Sequence, residues 1–171
     1  ETLRVESPFN YALQAALYVP RHVPKPSDPA HSIAVAQLAG GAADRLGGRT
    51  LVLTTTLKAL RVIGDALKDR FNNTDGPEVL VQGDWPKRHL MERFRDGVTS
   101  GRRGCLLVAS ASFWEGFDVP GDALQLVIID KLPFPPPGDP LVEARSQRIE
   151  AAGGRSFQML AGPAAAVALK Q

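Results

Sequence analysis

Residues 49–71, RTLVLTTTLKALRVIGDALKDRF, change their periodicity halfway along. Leu51, Val52 and Leu53 form an uninterrupted apolar run, three threonines follow, and from Leu57 onward the apolar positions Leu57, Leu60, Ile63, Leu67 and Phe71 fall at helical spacing. A short apolar and β-branched run bounded by glycine reads as a strand buried on both faces, whereas apolar residues three and four apart read as one face of a helix. The stretch is therefore a strand that passes directly into a helix.

Working outward, the alternation continues. EVLVQG (78–83) reads as a short strand, PKRHLMERFRDGV (86–98) as a helix with Leu90, Met91 and Phe94 on one face, and CLLVAS (105–110) and LQLVIID (124–130) as two further strands. Four apolar runs separated by helices or long connections predict an α/β layer fold, a central parallel sheet with helices on both faces. Leu51, Val52, Leu53, Leu106, Leu107, Val108, Leu126, Val127, Ile128 and Ile129 are then expected to be largely buried. Upstream, residues 18–31 carry Pro20, Pro24, Pro26 and Pro29, which predicts an extended, irregular approach. Asp28 before Pro29 reads as a helix start, with an acceptor at the cap and proline in the first helical position. That helix runs through HSIAVAQLAGGAADRL, where Ile33, Ala36, Gln37 and Leu38 give no clean stripe, and stops at Gly47-Gly48. Beyond Asp130 a second proline-rich loop precedes a helix capped by Asp139 with Pro140 at its first position.

A chain of 171 residues, 44% hydrophobic and 22% charged, holds one globular unit. No window of about 18 apolar residues spans a membrane and no leader-like pattern opens the chain, so a cytoplasmic protein with no membrane partner is expected. Cys105 lies inside an apolar run and reads as a structural strand residue. A formal charge of +2 and a pI near 8.9 permit contact with nucleic acid without arguing for it. The chain begins with Glu1 and ends in AAAVALKQ, a helical pattern with no stop signal, and is expected to be a piece of a longer polypeptide.

In open parallel sheets ligands bind at the carboxyl ends of the strands. Three such tips carry chemistry. Thr54-Thr55-Thr56 offers hydroxyls and free amides at a helix start, suited to a phosphate, or to nothing more than a helix cap. ASFWEGFDVPG (111–121) sets Phe113 and Trp114 against Glu115 and Asp118 around Gly116, which permits close backbone approach. Paired carboxylates there serve acid–base work, hold a metal, accept from ribose, bind arginines, or are solvated loop acids; with no His or Cys at ligand spacing nearby, no metal site is expected. DKLPFPPPGDP places Lys131 after a strand and Phe134 between prolines, either as a stacking platform for a base or folded back on the core. No GxxxxGK[ST] or GxGxxG loop is present, so the chain has no phosphate cradle of its own.

SPFNYALQAALYVP, GGRTLVLTTTLKALRVI, SFWEGFDVPGDALQLVIIDKLPFPPPGDPLVEAR and the terminal AVALKQ together resemble the second motor domain of the DinG/YoaA group of XPD-like superfamily 2 DNA helicases. The resemblance covers nearly the whole chain and implies a RecA-like domain over residues 32–171, preceded by the proline-rich approach of residues 1–31 and cut at the start of motif VI. It implies a 5′-to-3′ ATP-dependent DNA helicase in which two such domains close over ATP and Mg2+. The partners it implies are single-stranded DNA and the N-terminal motor domain of the same polypeptide. The phosphate loop, the magnesium-binding acids and any iron–sulfur cluster would belong to that first domain.

By the same resemblance, LVLTTTLKAL corresponds to motif IV, with Thr55 and Thr56 toward the DNA backbone. SFWEGFD corresponds to motif V, with Ser112 and Trp114 toward the strand and Glu115, Gly116 and Asp118 toward nucleotide and the arginines of motif VI. Gln171 would open motif VI at the nucleotide, and Lys131 and Phe134 would join the DNA contacts. No catalytic residue is expected in this stretch, which alone would not hydrolyse ATP. Thr54 stands where relatives often carry an aromatic, and Ala111 where many carry glycine. Two other readings stay open: a non-catalytic module binding single-stranded DNA or a protein, and a small-molecule α/β enzyme using Glu115 and Asp118 as acid and base beside a deep apolar pocket.

Overall fold

The computed structural model describes residues 7–97, 103–110, 113, 117, 119, 121–136 and 138–169. Four short strands form one parallel sheet: β1 (Thr50–Leu53), β2 (Glu78–Val81), β3 (Cys105–Ala109) and β4 (Leu126–Ile129), in the order β2-β3-β1-β4. Helix α1 (Tyr11–Gln14) lies in the approach, α2 (His31–Leu46) leads to β1, α3 (Leu57–Phe71) links β1 to β2, and α4 (Lys87–Asp96) links β2 to β3. Helices α5 (Pro140–Ala151) and α6 (Gly162–Leu169) follow β4, with a π-helical turn at Phe157–Ala161 between them.

The pleat sends alternate residues to two cores. Val52, Leu106, Val108 and Val81 face α2 and α3, whereas Leu51, Leu53, Leu80 and Leu107 face α4 with Leu90 and Phe94. β3 and β1 are the inner strands, and Leu106, Leu107 and Val108 are fully buried, as the continuous apolar run predicts. Helix α2 shows no clean stripe in sequence because its buried face is built largely of small residues, Ala36, Ala39, Gly40 and Ala43, with Val35. A Cβ on Gly40 would meet the Arg70 side chain at 2.6 Å, so α2 and α3 approach closely there.

Three expectations are corrected. Leu126, Val127, Ile128 and Ile129 are not all buried: β4 is an edge strand, the α4 layer does not reach across it, and Val127 and Ile129 are 47% and 38% exposed. The helix predicted from Pro29 begins at His31; Asp28 Oδ1 accepts from the Ala30 amide at 2.8 Å and its carbonyl from His31 N–H at 3.0 Å, a turn that precedes the helix rather than its first residues. Leu57, assigned to the buried face of α3, is 61% exposed, because it sits on the first turn beyond the sheet. The α5 start is as read: Asp139 Oδ1 accepts from Leu141 and Val142 amides at 2.8 and 3.2 Å.

Cys105 is buried, and burial, then the Glu78 carboxylate, push its thiol up to about 11. A thiol held protonated is a poor nucleophile. Ellman's reagent at pH 8 is therefore expected to leave Cys105 unmodified in the folded chain and to titrate it at once in denaturant; rapid reaction of the folded protein would contradict this packing.

Candidate nucleic-acid interface

Because all four strands run the same way, the segments that leave the strand ends emerge on one edge of the sheet. Thr54-Thr55-Thr56 leave β1, Asp130-Lys131 leave β4, Gln82-Gly83 leave β2, and Ser110 leaves β3 toward the ASFWEGFDVPG loop. The structure thereby gathers the predicted site segments without their being near one another in the chain.

The three threonines divide the work. Thr54 is buried, and its hydroxyl lies 3.3 Å from the carbonyls of Ala109 and Thr56, fixing the β1 tip to β3. Thr56 Oγ1 accepts from the Ala59 amide at 3.2 Å and caps α3 while the residue stays exposed, so its O–H is still available to donate. Thr55 is the odd one: its amide donates to Asp130 Oδ1 at 3.1 Å, and its hydroxyl oxygen is shielded from solvent with no partner among the described residues.

Asp130 was not singled out by sequence, although a carboxylate ending an apolar run is a signal available there. Its side chain is 1% exposed, Oδ2 makes no hydrogen bond, and Lys131 Nζ stands 3.8 Å from it. Burial holds the Asp130 carboxyl above the usual carboxylate range, opposed by Lys131, the Thr55 and Lys131 amides and His31. A carboxyl whose folded value is raised favours folding while protonated, below its unfolded range, and loses that contribution as pH climbs through the raised value. His31 lies alongside: its ring nitrogens face the carbonyl oxygens of Pro24 at 2.7 Å and Asp130 at 2.9 Å, joining approach, α2 and β4.

Phe134 neither stands alone nor joins the sheet core. It is 43% exposed and packs on Phe157 with centroids 5.4 Å apart. Ser112, Trp114, Glu115, Gly116, Asp118 and Gln171 lie outside the described residues. Within their loop, Phe113 is buried beneath the β3 tip and Phe117 packs between Phe113 and Phe94 at 6.0 and 5.6 Å. Gln82 Oε1 accepts from the Ser110 amide and hydroxyl at 2.7 and 3.0 Å, bracing the start of that loop from β2. Trp85, 58% exposed and stacked near His89 at 5.1 Å, is a second aromatic on this side of β2 that sequence reading passed over.

An apolar groove of about 760 Å³ runs between the approach, α2, β4 and Leu169, with Asp130 and Lys131 at its edge. No helix among the described residues is long and apolar enough to cross a membrane.

Comparison with known proteins agrees with this arrangement. Residues 42–171 match the helicase C-terminal domain family. The chain is 40% identical over 171 residues to the ATP-dependent DNA helicase YoaA of Escherichia coli K12, covering 100% of this chain and 26% of that protein. It is 39% identical over 175 residues to the ATP-dependent helicase DinG of Mycobacterium tuberculosis H37Rv, covering 99% and 24%, and 38% identical over 165 residues to YoaA of Haemophilus influenzae, covering 96% and 24%. The chain thus spans about a quarter of the length of these relatives. A parallel α/β sheet with its motif-bearing tips on one edge, together with a family match over most of its length, places the chain in the helicase C-terminal domain family, among homologues of the DinG/YoaA ATP-dependent helicases.

Proposed function

We propose that this chain is the second motor domain of a 5′-to-3′ ATP-dependent DNA helicase acting in the cytoplasm, supplying single-strand contacts and one wall of the ATP cleft. The observation that supports the reading is the convergence of the β1, β3 and β4 tips on one sheet edge, where Thr55, Thr56 and Lys131 lie at the same edge as Ser110, from which the ASFWEGFDVPG loop departs. Hydroxyls, helix-start amides and an ammonium recognise a phosphate backbone without reading sequence, and aromatics, the exposed Phe134 and in this reading Trp114, stack on bases of any kind.

In this reading Glu115, Gly116 and Asp118 lie toward nucleotide and pair with arginines of motif VI, which opens at Gln171. The acids then couple cleft closure to the DNA track and leave proton transfer to the other domain. Among the described residues no cluster of three His, Cys, Asp or Glu side chains is placed to hold a metal. In this reading Mg2+, and any iron–sulfur cluster, belong to the N-terminal motor domain, and no step runs through them here.

Two assays test it together. The chain alone is expected to bind a labelled oligo-dT weakly, with affinity falling as salt rises and falling further in Thr56→Ala and Trp114→Ala. In the full-length polypeptide, Asp118→Asn or Glu115→Gln is expected to cut DNA-stimulated ATP hydrolysis and unwinding about tenfold or more, ~1.4 kcal/mol on the barrier. A full-length polypeptide with no DNA-stimulated ATPase, or variants with unchanged turnover, would overturn the reading.

A further inference from the structure

Among the described residues, four polar or charged side chains are buried: His31, Thr50, Thr54 and Asp130. Three are accounted for by carbonyl neighbours, the Thr50 hydroxyl donating to Gly48 O at 2.7 Å, the Thr54 hydroxyl lying against Ala109 and Thr56, and the His31 ring lying between Pro24 and Asp130. Asp130 is the exception: a buried carboxylate with one oxygen lacking a hydrogen bond among the described residues. Two of the polar groups facing it are the Thr55 amide, 3.1 Å from Oδ1, and the Lys131 ammonium, 3.8 Å from Oδ2. Both belong to residues of the proposed DNA track, and they reach Asp130 from different strands.

We propose that Asp130 is the positioning residue of the DNA track: its carboxylate fixes the Thr55 backbone on one side, and with it the start of α3 that carries the exposed Thr56, and draws in the Lys131 ammonium on the other, so that Thr56 and Lys131 meet the same stretch of phosphate backbone. The inference rests on the proposed role of the β1 and β4 tips. Taking the Thr55 amide holds the β1–α3 junction still, and with it the exposed Thr56 one residue on. Drawing Lys131 to Oδ2 leaves its side chain 27% exposed and restricts its rotamers before any phosphate arrives. Preorganisation of this kind strengthens binding by lowering the ordering cost at the moment of contact. Asp130 is itself held from its backbone, its amide donating to Leu53 O at 3.0 Å and its carbonyl facing His31, so the carboxylate is a fixed point rather than a mobile acid. The titratable groups facing it are Lys131 beside it and His31 from α2, with the Thr55 amide from the β1–α3 junction. A buried carboxylate with one oxygen unbonded among the described residues, set between two groups of the proposed track, is the pattern of a functional group.

The test uses the full-length polypeptide and an oligo-dT of defined length, reading ATPase rate against DNA concentration. Asp130→Asn keeps the shape and removes the charge. The DNA concentration for half-maximal stimulation is expected to rise about fivefold or more while the rate at saturating DNA stays within about twofold, and the salt dependence of binding is expected to lose about one unit of slope, the signature of one phosphate contact. In a Lys131→Ala background the same change is expected to add less than about twofold, because the shared contact is already gone. The variant is also expected to melt no lower than the parent at pH 7. If Thr56→Ala and Lys131→Ala weaken DNA binding but Asp130→Asn does not, the positioning role fails and the DNA track stands. If neither Thr56→Ala nor Lys131→Ala has an effect, the reading of the strand tips fails and takes this inference with it. An Asp130→Asn protein that unfolds, or whose effect is additive with Lys131→Ala, shows a carboxylate that serves the fold and overturns the proposal.

Discussion

Gly48→Ala is expected to destabilise the fold by ~3 kcal/mol or more, through backbone rather than side-chain packing. Gly48 follows α2 at φ +90°, and a Cβ there would stand 2.1 Å from Gly104 O, 2.3 Å from Gly104 C and 2.9 Å from Cys105 N. These are main-chain atoms at the start of β3, fixed by the Gly104 N–H to Gly47 O bond at 2.6 Å, so they have no rotamer into which to retreat. The residue also uses its own N–H, donating to Ala43 O at 2.7 Å, to close α2. Gly47→Ala is the control: φ is +63° but nothing lies within 4 Å of the added methyl, so only the left-handed backbone is charged, about 1 kcal/mol. Urea denaturation separates the two, as a large drop in midpoint for Gly48→Ala against a small one for Gly47→Ala. Equal effects would show that conformational strain, not the contact between the β1 and β3 starts, governs this turn.

Phe94→Ala is expected to cost ~3–5 kcal/mol, the range for removing a fully buried aromatic ring. Phe94 is 0% exposed, on the inner face of α4, and meets Phe117 edge-on at 5.6 Å. Leu107→Ala, in the same core but on the sheet side, is expected to cost ~2–5 kcal/mol. The two substitutions should have different effects on the neighbouring loop. Leu107 lies mid-strand, whereas Phe94 supports Phe117 and with it the loop that carries Trp114 and the two acids. Denaturation midpoints measure the loss of global stability. Limited proteolysis within residues 111–121, faster in Phe94→Ala than in a Leu107→Ala protein at matched global stability, measures the loosening of the loop; equal cleavage would mean that Phe94 supports only the core.

The sequence alone determined which segments are strands and which are helices, because β-branched apolar runs and three-to-four spacing report local geometry that burial then rewards. It determined that the sheet is parallel, since its strands are separated by helices or long connections, and therefore that the chemistry gathers at one edge. The long ASFWEGFDVPG and IIDKLPFPPP segments carried the family, which the match over residues 42–171 bears out. What only the tertiary structure decided is which neighbour each residue meets. LVII of β4 reads like LVL of β1, yet one strand is an edge and the other is interior, because strand order is a property of the assembled sheet and not of any one strand. The three adjacent threonines are chemically alike; the cap that Thr56 makes to Ala59 is local, but the anchoring of Thr54 to β3 and the tying of Thr55 to Asp130 depend on a carbonyl and a carboxylate supplied by β3 and β4. Asp130 lies 75 positions from Thr55, and no local pattern links them. A hydrophobic period is written in consecutive residues, but a buried polar contact depends on a partner that folding alone brings within about 3 Å, and that is why the positioning carboxylate became visible only in the folded chain.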